Sequence, residues 1–147
     1  MTIATASGPV VLGNGPTQVV CEARNLAARV ETLTQNQRIY LVLRELHAAE
    51  QPGVLYHLYL DLPQGSKPEK DDPHYVGSVN FYNAVPLEGG RAGSNAKLFR
   101  SYDLTALLKN LQQRNPLSDR TTITIIPSGV PAISAKASIG RIEIMEQ

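Results

Sequence analysis

The chain has 147 residues, a formal net charge of +1 and one cysteine, Cys21. This length suits a single domain, and such a domain buries enough surface to fold without disulfides or structural metals. The small net charge excludes a broad electrostatic attraction to nucleic acid or to an anionic membrane. One cysteine excludes an internal disulfide. We therefore expect one domain over residues 1–147, with no nucleic-acid or membrane partner.

The sequence also bears on cellular location. Residues 1–7 lack the basic segment and the long apolar stretch of a secretion signal. No apolar run approaches the ~20 residues that cross a bilayer, and a single cysteine is compatible with a reducing compartment. These features favour the cytoplasm, although they say nothing about the location of a longer parent if the chain is part of one.

Hydrophobic periodicity predicts strands along most of the chain. Residues 38–47 contain the almost continuous apolar run Ile39–Leu43, which predicts a strand covered on both faces. Residues 54–62 alternate, and we expect the even-numbered set to face inward. The remaining strands are predicted at 75–82, 97–102, 121–126 and 137–145, with a bulge at Gly140.

The N-terminal part gives weaker signals. Residues 1–9 are predicted to be loose, and Val10–Leu12 with Thr17–Glu22 are predicted to form a hairpin or two edge strands. Residues 24–33 fit one or two helical turns and fit an irregular crossover equally well. No domain boundary is predicted in this region.

One short helix is predicted near residues 104–113. Asp103 is a suitable N-cap, and Asn115-Pro116 ends the pattern. The helix carries an apolar stripe made by Leu104, Leu107, Leu108 and Leu111. With about seven or eight strands and no βαβ alternation, the chain is predicted to be mainly β, an antiparallel β-sandwich of jelly-roll or immunoglobulin-like type.

A search for reactive groups finds no catalytic, cofactor-binding or metal-binding residue. The three histidines, His47, His57 and His74, are too few for a two-copper site, which takes about six imidazoles. A mononuclear site from all three is geometrically conceivable, but ordinary surface histidines are the simpler interpretation. No G-x-S-x-G elbow occurs, and no G-K-[ST] follows the glycine-rich residues 89–93.

The tyrosines leave one binding hypothesis open. Tyr59 shares the polar face of its predicted strand with His57. A platform that stacks sugars or single-stranded nucleic acid needs several such rings on one exposed face. Most of the tyrosines are otherwise expected to be core or rim residues.

Several segments in order carry a family resemblance. They are residues 38–46, 52–63, 75–82, 102–108, 123–127 and 139–144. A strand such as residues 54–60, Val-Leu-Tyr-His-Leu-Tyr-Leu, occurs in many sandwiches, so the order of the segments carries the resemblance rather than any one of them. The order resembles the C-terminal β-sandwich domain of the tyrosinases and polyphenol oxidases, over roughly residues 38 to 146. It departs from the Lys-Phe-Asp-Val hallmark of the plant domain at His57–Leu60.

The resemblance implies a non-catalytic role for this chain. In that family the domain packs on a helical catalytic domain, whose type-3 dicopper site oxidises phenols, and it covers the entrance to the copper site. Copper is then expected only in the catalytic domain, which would be the partner in cis or in trans. In several relatives one side chain fills the substrate pocket, and the candidates here are Phe81, Tyr82 and the loop Pro86–Asn95.

An alternative from another class stays open at this point. A free-standing carbohydrate- or protein-binding β-sandwich module would use an exposed face of the same fold. An enzyme in its own right is disfavoured because no reactive site is recognisable. The sequence does not decide whether the chain is a fragment or a complete protein.

Overall fold

The computed structural model describes residues 1–6, 8–63, 65, 68, 72–81 and 99–147. These residues form nine strands and two α-helices. The strands are β1 (Thr2–Thr5), β2 (Val10–Val11), β3 (Thr17–Ala23), β4 (Ile39–His47), β5 (Tyr56–Leu60), β6 (Tyr75–Val79), β7 (Phe99–Asp103), β8 (Arg120–Pro127) and β9 (Ser138–Glu146). The helices are α1 (Leu26–Glu31) and α2 (Thr105–Arg114), and Ile133–Ala135 is a 3₁₀ turn.

All nine strands belong to one antiparallel sheet. Its order is β6-β5-β8-β3-β1-β9-β4-β7, and β2 also pairs with β9. The sheet curls into a nearly closed, barrel-like sandwich, which confirms the predicted mainly β antiparallel class. The two ends of the sheet meet where the Tyr102 hydroxyl of β7 donates to the Ser78 carbonyl of β6 at 2.8 Å. Close packing there also requires Gly77, because a Cβ on it would lie 3.0 Å from the Tyr102 ring.

The predicted loose N-terminus at residues 1–9 is wrong. Residues 2–5 form β1, which lies between β3 and β9, with Ala4 opposite both Ala23 and Ile144. Ile3, Ala4 and Ala6 are buried. Small apolar residues give a weak periodic pattern, yet they fill this narrow position well.

The predicted pairing of the next two segments is also wrong. β2 pairs with β9, whereas β3 pairs with β1 and β8. The two segments therefore form no hairpin, and β3 is an interior strand rather than an edge strand. Because β1 adds to the predicted seven or eight strands, the described residues contain nine.

The helices close one end of the barrel, here called the helical end. α2 is confirmed within one residue of its predicted start, and Asp103 Oδ1 accepts the Thr105 N–H at 2.9 Å. The ambiguous segment 24–33 forms α1. The two helices are joined by Gln112, whose side-chain amide donates to the Ala27 carbonyl at 3.2 Å. Leu26 and Leu108, from the two helices, are fully buried.

The core is formed by the inward faces of the strands. On β5 the even-numbered residues Tyr56, Leu58 and Leu60 are buried in it, as predicted. Apolar side chains of β4, β8 and β9 pack against them, since these strands surround the same interior. At about 25 cal/mol per Å² of buried apolar surface, this packing is the main favourable contribution to folding.

On β4 and β9, the set of side chains that points into the core changes partway along each strand. On β4 the buried core residues are Leu41 and Leu43, and then Leu46. On β9 they are Ile139 and then Ile142. A regular strand keeps core residues two apart. Each strand therefore contains one additional residue at this level.

The additional residues are Glu45 and Gly140, which face each other. The pairs on either side are Arg44 with Arg141 and Leu46 with Ile139. They keep the same register, because each strand contains one additional residue at this level. Glu45 has a left-handed backbone, with φ of 57°. A Cβ on Gly140 would lie 2.6 Å from the Glu45 Cβ. The bulge predicted at Gly140 is wrong, because Glu45 on the facing strand matches Gly140 one for one and the register of the pairing does not shift.

The chain termini lie side by side at the helical end. The Glu146 N–H donates to the Met1 carbonyl at 2.8 Å, and Arg38 and Gln147 exchange backbone hydrogen bonds of 2.7 and 2.9 Å. A salt bridge of 3.1 Å joins Arg29 of α1 to Glu146. Both termini are therefore fixed to the body of the barrel.

The close contact between Glu45 and Gly140 gives a stability prediction. Gly140→Ala should lower the free energy of unfolding by roughly 1–3 kcal/mol, because the new methyl group overlaps Glu45. Glu45→Gly removes that overlap and the left-handed strain, so Gly140→Ala should cost about 1 kcal/mol less in the Glu45→Gly background. Urea unfolding of the two single variants and the double variant measures this. Strict additivity would contradict the contact.

A second prediction concerns the barrel closure at alkaline pH. Burial raises the pKa of Tyr102 to about 12, the nearby Tyr75 adds to the increase, and Arg100 opposes it. The folded state then keeps a proton that the unfolded state loses. Stability should therefore fall as pH rises from about 10 to about 12.

The test compares Tyr102→Phe with Tyr40→Phe by urea unfolding at several pH values. Near neutral pH, Tyr102→Phe should cost about 1 kcal/mol through loss of the Ser78 bond. It should also flatten the alkaline decrease, whereas Tyr40→Phe should change neither quantity. Equal alkaline slopes in all three proteins would count against a buried Tyr102 hydroxyl.

Candidate interaction surface

The residues searched for metal or thiol chemistry lie apart. His47 is exposed at the end of β4, His57 lies on β5, and His74 precedes β6. Within the described ranges, no three His, Cys, Asp or Glu side chains come together as a metal site. Cys21 is fully buried, and this desolvation raises the pKa of its thiol to about 11. The described residues thus do not fit a copper centre or a reactive thiol.

The structure corrects the position of Phe81. Its side chain is only 1% exposed, and its ring packs edge-on against Tyr56 at 5.4 Å between centroids. Phe81 continues the inward face of β6 after Val79, so it is a core residue rather than an exposed tip. It could fill a partner's pocket only by leaving the core. Tyr82 and the loop Pro86–Asn95 lie outside the described residues, and their pocket-filling role stays a prediction.

The β5 position at which an aromatic platform stayed open as a hypothesis is covered. Tyr59 is only 6% exposed, although it belongs to the outward face. The Tyr75 ring lies 5.4 Å from Tyr59 and 5.9 Å from His57, tilted to both. Stacking of a sugar or a base needs a free ring face, and Tyr59 offers none.

A different surface is exposed and apolar. At the end of the barrel opposite the helices, Val11 is 69% exposed, Val130 is 82% exposed and Ile133 is 94% exposed. A cleft of about 410 Å³ runs between Val11 and Ile133, and Tyr56 contributes to its lining. We call these three side chains and the cleft the Ile133 surface. Clustered exposed apolar groups of this kind mark interaction sites more often than scattered ones do.

Backbone hydrogen bonds hold the Ile133 surface in place. Val11 pairs with Ser138 at the start of β9. The segment that carries Ile133 is tied to the β4–β5 connection, since the Ala132 N–H donates to the Pro52 carbonyl at 3.0 Å and the Ala135 carbonyl accepts from Ala49 at 2.6 Å. The apolar side chains are therefore presented by a fixed backbone and cannot fold back into the barrel.

The surface is also poor in charge. Neither residues 8–16 nor residues 127–135 contain Asp, Glu, Lys or Arg. Two charged side chains stand at its rim: Lys136, which lines the cleft, and Glu50, whose carboxylate accepts a hydrogen bond from the Ser134 hydroxyl. The cores of protein interfaces show the same depletion of charged residues. Sequence reasoning missed this site, although an uncharged turn segment with a valine and an isoleucine was a usable signal.

Comparison with known proteins extends this description. The family model described as "Domain of unknown function (DUF7868)" matches residues 6–147. No curated protein sequence matches the chain. Within the described residues, no helix is long and apolar enough to cross a membrane.

Solved structures share the fold. The chain is similar to latent apple tyrosinase, with a TM-score of 0.60 and 19% identity over 94% of this chain and 27% of that chain. It is also similar to latent aurone synthase, a polyphenol oxidase, from its natural source, with a TM-score of 0.61 and 16% identity over 93% of this chain and 25% of that chain. The chain spans about a quarter of these structures. The resemblance to their C-terminal β-sandwich domain is confirmed for the fold.

The exposure of Ile133 is testable in the isolated chain. Ile133→Ala should change the free energy of unfolding by less than about 0.5 kcal/mol, because the side chain contacts little in the folded state. The same substitution at the fully buried Ile142 should cost roughly 2–5 kcal/mol. Urea unfolding measures both. Similar costs at the two positions would show that residue 133 is covered in solution.

Proposed function

Because the chain belongs to the family described as "Domain of unknown function (DUF7868)" and folds like a quarter of the latent polyphenol oxidases, we propose that it is a non-catalytic domain of a tyrosinase-like oxidase system. Its partner is a tyrosinase-like catalytic domain, in the same polypeptide or on a separate chain. Copper belongs to that partner. The fold match, which covers 94% of this chain, is the observation that carries the proposal.

The Ile133 surface is the proposed contact with the partner. Val130 and Ile133 project from a fixed backbone, and each fully covered side chain of this type contributes roughly 1.5–3 kcal/mol. A rigid surface also loses little conformational entropy on binding. Docking of this end over the copper entrance would exclude phenols from the catalytic domain.

The binding-module alternative has weaker support. A sugar platform would need open aromatic faces on β5, whereas Tyr59 is buried beneath Tyr75. An independent protein-binding module would use the same Ile133 surface, and only the identity of its partner separates that function from the one proposed. We therefore favour the oxidase partner, which the fold supports.

The test adds the full chain to the matching catalytic domain and measures phenol oxidation. The wild-type chain should lower the rate in a saturable manner. Ile133→Lys and Val130→Lys should each weaken this inhibition at least about tenfold, which corresponds to about 1.4 kcal/mol. A lysine at either position would place a charge in the apolar centre of the contact.

Val20→Lys is the matched control. Val20 is also apolar and exposed, at 41%, but it lies on the outer face of β3 away from the Ile133 surface. This variant should inhibit like the wild-type chain. An unchanged oxidation rate at saturating wild-type chain would refute shielding, and equal losses in all three variants would refute docking through the Ile133 surface.

A further inference from the structure

A second cleft lies at the helical end of the barrel, far from the Ile133 surface. It has a volume of about 500 Å³ and is bounded by the ends of β5 and β6 on one side and by the C-terminal end of α2 on the other. Asp61 and His74 line the first side, and Arg114 and Arg120 stand on the second. A cleft with apolar walls and a few convergent polar groups is the usual form of a small-molecule site.

Asp61 is held in an unusual conformation. Its φ is 51°, in the left-handed region, directly after β5. The Asp61 N–H donates to the Thr122 carbonyl at 2.8 Å, and Oδ1 accepts the Thr122 N–H at 2.8 Å. These bonds fix the carboxylate at the wall of the cleft. Burial raises the pKa of Asp61, while the Thr122 bond and His74 oppose the increase. Backbone strain of this kind is concentrated at functional sites.

His74 is oriented by a bond to the backbone. Its Nδ1 lies 2.8 Å from the Leu60 carbonyl oxygen, and the backbone N–H of His74 donates to Asp72 Oδ1 at 2.8 Å. A carbonyl oxygen only accepts, so Nδ1 carries a hydrogen. In the neutral ring Nε2 is then a hydrogen-bond acceptor. Asp61 and His74 thus offer two adjacent acceptors in fixed positions.

The opposite side of the cleft is positive and partly apolar. Arg114 and Arg120 are exposed, and neither forms an ion pair within the described part of the chain. Leu111 is 6% exposed and Leu117 is half-buried, and both contribute to the wall. Guanidinium groups bind carboxylates well because of their planar array of donors.

We propose that this cleft binds a small hydroxylated aromatic carboxylic acid. Its carboxylate pairs with Arg114 and Arg120, its ring packs on Leu111 and Leu117, and its hydroxyl donates to Asp61 or His74. The hydroxyl end of the ligand is therefore recognised by groups that are already in place, and the carboxylate end by two exposed guanidinium groups. This inference is independent of the proposed docking function, because it concerns the opposite end of the barrel.

The test is calorimetric titration of the full chain with 4-hydroxybenzoate. A ligand of about ten non-hydrogen atoms should bind at one site with a dissociation constant of about 0.1–1 mM. Benzoate lacks the hydroxyl group and phenol lacks the carboxylate, so each should bind at least tenfold more weakly. This comparison uses only the wild-type chain and does not depend on the folding of a variant.

Three variants locate the site. Arg114→Gln with Arg120→Gln should weaken binding at least tenfold, and Asp61→Asn should weaken it about fivefold while keeping an acceptor for Thr122. Lys109→Gln, an exposed position of α2 outside the cleft, should bind like the wild-type chain. Absence of heat with the folded wild-type chain would overturn the proposal. Equal affinity for 4-hydroxybenzoate and benzoate would also overturn the proposal. So would an arginine double variant that binds 4-hydroxybenzoate as tightly as the wild-type chain does.

Discussion

The pairing of β9 between β1 and β4 is the constraint on which the rest of the structure depends. β9 is the last strand of the chain, and it joins the N-terminal strand to the strand that carries the longest apolar run. β2 lengthens the same contact at its other end. Without β9 the sheet would separate into two parts. The Ile133 surface also depends on it, since β9 leads out of the segment that bears Ile133 and pairs with β2 at its start.

Strong local patterns made several elements predictable from the sequence. The long strand that begins at Ile39, the even-numbered inward set of β5 and the helix after Asp103 are confirmed, since periodicity and capping act within a few residues. The position of β1 was missed because it depends on two distant partners. Gly140 indicated an irregular position, but the expected bulge is wrong because Glu45 extends the opposite strand by one residue as well. Only the pairing of the two strands reveals this.

The candidate site residues, too, were predictable from the sequence only in part. Phe81 and Ile133 are both large apolar residues outside the strands, yet one is buried and the other is almost fully exposed. Composition does not separate them, because the outcome depends on which face of the barrel each segment reaches. Asp61 was recognised on a polar face, but its proximity to His74 comes from the pairing of β5 with β6, and its proximity to α2 comes from the tertiary fold. The family resemblance, by contrast, rested on the order of segments and is supported by the fold.

The position of the chain termini has a consequence for any covalent arrangement with a partner. Both termini leave the barrel beside α1, at the far end from Ile133. The nine residues of β9 correspond to about 30 Å at ~3.3 Å per residue. A partner that docks on the Ile133 surface, as proposed above, therefore lies about 30 Å from both Met1 and Gln147, a distance that about nine extended residues span.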